Sequence, residues 1–161
     1  MQITHRHALR KSDLRELKDS LRVLLGDQVD SLFKKTVERI KTDSIELYAE
    51  NRIVLAFKLE NHYLPSLRAL NEGLVTLPQV TVDMGAVPYV TNGADIMAPG
   101  IKDLASDLQT GAIVSIVDER FGKSLAIGEL LFDCEVILQM KKGKAIRNLH
   151  YVNDAIWSVK L

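Results

Sequence analysis

Val82-Asp83-Met84-Gly85-Ala86, continued after a short spacer by Asn92-Gly93-Ala94-Asp95-Ile96-Met97-Ala98-Pro99-Gly100-Ile101, is the stretch on which the fold of this chain turns. It reads as a strand end, a short helical turn, a second strand and a reversal. Asp83 has the side chain of a helix N-cap, and Asn92-Gly93 is a stop signal. Pro88 is expected to shorten or kink the helix between them, because it lacks an N–H and crowds the carbonyl four residues back. Pro99-Gly100 suits a type II turn with glycine at the left-handed position. Glycines and small residues here let another molecule's backbone come close, and the stretch offers no nucleophile, base or metal cluster. A binding surface is the first expectation.

Outward from this stretch, the second half of the chain is a run of short strands. Val80 and Val82 form a strand before Asp83, and Ile113, Val114, Ile116 and Val117 pair with Leu125, Ala126, Ile127 and Leu130 across a turn containing Gly122. Gly111 and Gly128 mark bends or close approaches. Asp133 to Met140 reads as a short helix ended by Lys141-Lys142-Gly143, and Ile146, Leu149, Tyr151 and Val152 as the closing strand. Many short strands with one early helix predict a compact barrel.

The first half reads differently. Leu14, Leu17, Leu21, Leu24 and Leu25 recur at helical spacing and Gly26 stops them. Asp27 is a candidate cap for a second helix, with Val29, Leu32, Phe33, Val37 and Ile40 as its apolar stripe. From Ser44 the period becomes two: Ile45, Leu47 and Ala49, a turn at Glu50-Asn51, then Ile53, Leu55, Phe57 and Leu59. Pro65 is expected in the first turn of a short helix carrying Leu67 and Leu70. The expected class is α+β: N-terminal helices packed on a small antiparallel sheet, then a β-barrel, with domains at 1–76 and 77–161.

The 161 residues are 47% hydrophobic and 26% charged, an ordinary globular composition, and the formal net charge is zero. A neutral chain has no general attraction for nucleic acid or anionic membrane, so local charge must carry any such function. From Val136 to Asn153 no acid occurs, while Lys141, Lys142, Lys144 and Arg147 do. No apolar run approaches the roughly 20 residues that span a bilayer. The start lacks a signal-peptide core, so a cytoplasmic location is expected. The one cysteine, Cys134, reads as a packing residue. His5 and His7 alternate near the start, but no Cys or acid cluster completes a metal site, and a frayed terminus is the expectation there. Neither metal nor cofactor is expected.

Asp83-Met84-Gly85-Ala86, the Asn92–Ile101 segment and Leu125-Ala126-Ile127-Gly128 resemble the PUA domain, named from pseudouridine synthase and archaeosine transglycosylase. Tyr63-Leu64-Pro65-Ser66-Leu67-Arg68, Leu77-Pro78-Gln79-Val80 and Asn148-Leu149-His150-Tyr151-Val152-Asn153-Asp154-Ala155-Ile156-Trp157 extend the likeness to the malignant T-cell amplified sequence family, related to ligatin. The resemblance implies a pre-PUA N-terminal domain followed by a PUA-type β-barrel. It further implies a noncatalytic RNA-binding protein of translation, contacting the acceptor end of tRNA or ribosomal RNA of the small ribosomal subunit. A separate partner similar to density-regulated protein, or an initiation-factor-like chain, is implied as well.

On that reading the expected RNA-binding residues are Gly85, Ala86, Tyr89, Gly93, Ala94, Asp95, Ile96 and Gly100, with Lys141, Lys142, Lys144 and Arg147 adding charge from the closing strand. Small residues permit backbone approach, and Tyr89 or Tyr151 could stack a flipped base. Trp157 and Phe121 are expected to pack internally. Met84 and Pro88 stand where family members commonly have lysines, so two phosphate contacts are expected to be missing. Asp95 would repel phosphate unless it accepts a hydrogen bond. An alternative is a protein-interaction scaffold docking through exposed Arg15, Lys18, Lys34 and Arg39. Another is an RNA-targeting accessory of an RNA-modification system.

Overall fold

The structure, a computed structural model, describes residues 1–161. Met1–Thr76 with Ala155–Leu161 form one compact unit, and Leu77–Asp154 form the other. The last seven residues, expected in the second domain, therefore group with the first.

The first unit contains β1 (Ile3–Ala8), α1 (Lys11–Leu25), β2 (Val37–Thr42), β3 (Glu46–Glu50), β4 (Ile53–Leu59), β5 (His62–Pro65) and α2 (Leu67–Asn71). Its five strands form an antiparallel sheet in chain order. Helix α1 buries Leu17, Leu21 and Leu25, four residues apart and hence on one face. The β1 strand overturns the frayed terminus expected at His5 and His7: Arg6 pairs opposite Ile40, and its guanidinium reaches the Glu38 carboxylate at 2.9 Å.

The second expected helix does not form. A 3₁₀ turn, Gly26–Ser31, gives way to irregular chain and then β2. Leu32, Phe33, Val37 and Ile40 are all buried as their spacing required, but by two different local structures. The backbone N–H groups of Lys34 and Lys35 donate to the nearly buried Glu50 carboxylate at 2.8 and 3.1 Å. That carboxylate supplies the acceptor that helical carbonyls would otherwise provide. Pro65 ends the edge strand β5 instead of opening a helix, and Ser66 is the cap: its hydroxyl accepts from the Ala69 N–H at 3.2 Å and donates to the Val54 carbonyl at 2.7 Å.

The second unit contains β6 (Gln79–Val82), α3 (Val87–Val90), β7 (Ile96–Met97), β8 (Ile101–Leu104), β9 (Ile113–Asp118), β10 (Ser124–Leu130), α4 (Cys134–Gln139) and β11 (Lys144–Tyr151); α5 (Ala155–Ser158) follows in the first unit. The sheet order is β7-β11-β10-β9-β6-β8, antiparallel except for the parallel pair β6 and β9. The two edge strands, β7 and β8, are consecutive in the chain and joined by Ala98–Gly100 alone. A sheet whose opposite edges are three residues apart must curl on itself, which makes the unit a barrel. Val80, Ile96, Leu104, Ile116, Leu130 and Ile146, one from each strand, meet in its core with Cys134 and Ile137 of α4. Burial raises the Cys134 thiol pKa, as befits a packing residue.

Candidate functional site

Strand β6 ends at Val82, and the chain must turn before α3. The Asp83 carboxylate accepts the Ala86 N–H at 2.8 Å, which holds the turn. Pro88 lies in the first turn of α3, where its missing N–H has no helical partner to lose, so no kink results. The left-handed Gly93 (φ +92°) ends the turn, and β7 follows. The Pro99-Gly100 segment is a 3₁₀ turn, Ala98–Gly100, and not the expected type II turn; Gly100 is absent from the left-handed region. The Gly100 carbonyl accepts from the Asp83 N–H at 2.9 Å, and a Cβ on Gly100 would meet the Ala86 Cβ at 3.2 Å. The two loops are thus held against each other.

Between them opens a mostly apolar cavity of about 260 Å³, lined by residues that include Gly85, Ala86, Tyr89, Asp95, Met97 and Gly100. Ile96 contributes to the lining and is otherwise buried. Tyr89 is 69% exposed and Met97 46% exposed. Both apolar surfaces stand at the cavity with nothing of this chain covering them. Met97 and Pro99, the latter also in the lining, are missed by sequence reasoning. The alternation of buried Ile96 with exposed Met97 is the signal that could have found the first.

Asp95 is less of an obstacle to an anion than its sequence position suggests. One carboxylate oxygen accepts the Asn148 backbone N–H at 2.9 Å, and the other lies 3.3 Å from Lys144 Nζ. The expected compensating cation is therefore engaged with Asp95. Lys141 and Lys142 are exposed on the turn before β11, and the carbonyl of their neighbour Gly143 accepts from the Ala98 N–H at 2.9 Å. That bond sets the lysine turn beside the wall of the cavity. Arg147 lies farther along β11, opposite Glu129 of β10, whereas Lys144 is opposite Met97 of β7.

Gly93 and Ala94 do not line the cavity. A Cβ on Gly93 would sit 2.8 Å from Tyr151 Cζ, so this glycine is packed beneath an aromatic ring. The carbonyls of Ala94 and Val90 accept the Asn148 amide at 3.0 and 3.1 Å. Tyr151 is partly buried against the core. Asp154 organises the end of β11, accepting the Tyr151 N–H at 3.0 Å and lying 2.7 Å from the buried His150 Nδ1. Phe121 is 68% exposed and is not the packing residue expected. In the first unit Arg39 is only half-exposed, with its guanidinium 5.9 Å from the Tyr48 ring centroid and 3.9 Å from Glu46, unlike the open charge expected of a docking face. No helix is long and apolar enough to cross a membrane.

Residues 1–72 match the Pre-PUA-like domain and residues 78–152 the PUA domain. The chain is thus a two-domain Pre-PUA and PUA protein. It is 37% identical to an uncharacterized protein of Methanocaldococcus jannaschii, over 99% of each chain. It is 36% identical to translation machinery-associated protein 20 of Saccharomyces cerevisiae, over 83% of this chain and 79% of that one, and 35% identical to malignant T-cell-amplified sequence 1 of Rattus norvegicus, over 73% and 67%. A hypothetical protein of Pyrococcus horikoshii superposes with a TM-score of 0.81 at 30% identity, covering 98% of this chain and 100% of the other. The chain belongs to the family of translation machinery-associated protein 20 and the malignant T-cell-amplified sequence proteins.

Proposed function

We propose that this protein is a noncatalytic RNA-binding factor of translation, seating an unpaired RNA end on the Gly85–Gly100 cavity. The tRNA acceptor end, or an exposed ribosomal RNA segment of the small subunit, would present such an end. The observation that carries the reading is the cavity: an open, mostly apolar recess with glycines at its walls and Tyr89 and Met97 uncovered, whose two carboxylates are engaged within the chain, Asp83 by the Ala86 N–H and Asp95 by the Asn148 N–H and Lys144. A base has flat apolar faces and polar edges. It can stack on Tyr89 while its backbone approaches where Gly85 and Gly100 present no side chain. Lys141 and Lys142, exposed on the turn beside Ala98, would meet the phosphates. Membership in a family whose yeast relative is named for the translation machinery supports the same setting. The partners proposed are RNA, the small ribosomal subunit and a separate density-regulated-protein-like or initiation-factor-like chain.

Binding of labelled tRNA, intact and lacking its terminal unpaired nucleotides, tests the proposal across a series of salt concentrations. Intact tRNA is expected to bind more tightly than the truncated form at every salt concentration. Equal, weak and purely salt-driven binding of both would remove the acceptor-end reading.

A further inference from the structure

The β9–β10 hairpin tip, Glu119–Lys123, contributes no residue to the cavity lining and carries an aromatic side chain that the fold does not use. Phe121 is 68% exposed, and it is flanked by exposed Arg120 and Lys123, neither of which is held in an ion pair. A single exposed apolar residue needs no explanation by itself. Here the tip is also built rigidly. Asp118, 5% exposed, turns its carboxylate inward to accept the N–H groups of Arg120, at 2.9 Å, and of Phe121. The Gly122 N–H donates to the Asp118 carbonyl at 3.2 Å, with Gly122 in the left-handed region at φ +65°. Phe121 is thereby presented in one backbone conformation.

The tip is tied to the cavity. The Glu119 N–H donates to the Val82 carbonyl at 3.1 Å, and the Met84 N–H lies 3.3 Å from the Glu119 carboxylate. Met84 is next to Gly85 in the chain, and Phe121 is two residues from Glu119, within about 7 Å of backbone.

We propose that the tip is a second nucleotide contact: Phe121 stacks an unpaired base while Arg120 and Lys123 hold the flanking phosphates. An aromatic face between two free cations is the pattern that binds single strands with little sequence preference. Acidic side chains of a protein would pair with the same cations, so the cations alone do not choose; the hydrogen-bonded tie between the tip and the loop of the RNA-seating cavity is what favours RNA as the occupant. This inference rests on the RNA reading above.

The test uses the full chain and mixed-sequence single-stranded RNAs of about 4 and about 16 nucleotides, which bracket the footprint of one small barrel. Phe121→Ala is expected to weaken the longer RNA about 5- to 150-fold and to leave the shorter one unchanged. Phe121→Trp is expected to keep wild-type affinity, and in a Trp157→Phe background its fluorescence should be quenched by the longer RNA alone. Should Tyr89→Ala weaken both RNAs while Phe121→Ala changes neither, the tip is not an RNA contact and the cavity reading stands. Should the wild-type chain bind neither RNA, both readings fall. Loss of a protein partner on Phe121→Ala, with RNA affinity intact, also overturns the proposal.

Discussion

Gly85 and Gly93 belong to the same stretch and look interchangeable in the sequence, yet they serve opposite surfaces of it. Gly85 is exposed at the cavity, and a Cβ there would meet only the Asp83 carboxylate, at 3.3 Å. Gly93 has φ +92° and lies under Tyr151, where a Cβ would be 2.8 Å from the ring. One glycine leaves room for a ligand and the other leaves room for the protein itself. The contrast separates positions whose substitution reports on binding from positions whose substitution reports on folding.

The largest effect follows at Gly93. Gly93→Ala combines a left-handed backbone position with overpacking against the ring, and a loss on the order of 3 kcal/mol of stability is expected. Urea unfolding measures it. Gly93→Ala together with Tyr151→Ala should recover the part due to the ring, though the conformational cost remains. A fully stable Gly93→Ala would break the comparison, because Gly93 would then be as free as Gly85. For the same reason Gly93→Glu cannot serve as a clean probe of binding.

Tyr89 sharpens the other side of the contrast. Its ring is largely exposed, so Tyr89→Ala should leave the unfolding midpoint within about 0.5 kcal/mol of wild type. RNA affinity should nevertheless fall by about 1–3 kcal/mol, the value of one stacked base, as read by fluorescence anisotropy. A variant that loses stability and binding together would mean that Tyr89 is a structural ring like Tyr151.

Acid should unsettle the hairpin beside the cavity before it touches Gly93. Hydrogen bonds from the Phe121 N–H first, against the opposing cost of burial, and then from Arg120 hold the Asp118 carboxyl below the usual carboxylate range. A carboxylate depressed in the folded state adds stability that is complete above its unfolded pKa of about 4 and is lost as pH falls through the folded value. Wild type should therefore lose more stability than Asp118→Asn between about pH 4 and the folded value, which thermal unfolding at stepped pH resolves. Equal slopes would show that the carboxylate charge does not hold the tip.

What the sequence disclosed divides along similar lines. The barrel was legible because strand period and turn residues are local signals: the β9–β10 hairpin and α4 lie close to where alternation and the Lys-Lys-Gly stop put them. The helix expected after Gly26 was not, because buried Leu32, Phe33, Val37 and Ile40 satisfy helical spacing while the backbone is held by Glu50, a residue from another strand. In the candidate site, Gly85, Ala86, Tyr89, Asp95, Ile96 and Gly100 were legible as a set, and all six line one cavity. The roles of Gly93, Asp95 and Lys144 were not, since Tyr151, Asn148 and the carboxylate that binds Lys144 approach only through the β11 and β7 pairing. Phe121 was misread because burial of an aromatic is a tertiary property. Its turn carries no sequence mark of which way the ring points.

The smallest effect distinguishes the lysines, and it depends on charge bookkeeping within the site. Lys141 and Lys142 are exposed on the turn beside Ala98, whereas Lys144 lies 3.3 Å from Asp95. A phosphate that binds Lys141 or Lys142 displaces counterions from a free cation, so each replacement by Gln should lower the magnitude of the salt slope of RNA binding by about 0.7. Lys144 is already partly compensated by a carboxylate of this chain. Lys144→Gln should change the slope less than either neighbour does, and it would also leave Asp95 facing the cavity without its cation. Affinity at a fixed salt concentration should therefore fall while the slope stays nearly constant. A slope loss of about 0.7 at Lys144, with none lost at Lys141 and Lys142, would move the phosphate path from the turn onto β11 and make the Asp95 pair a contact that RNA breaks.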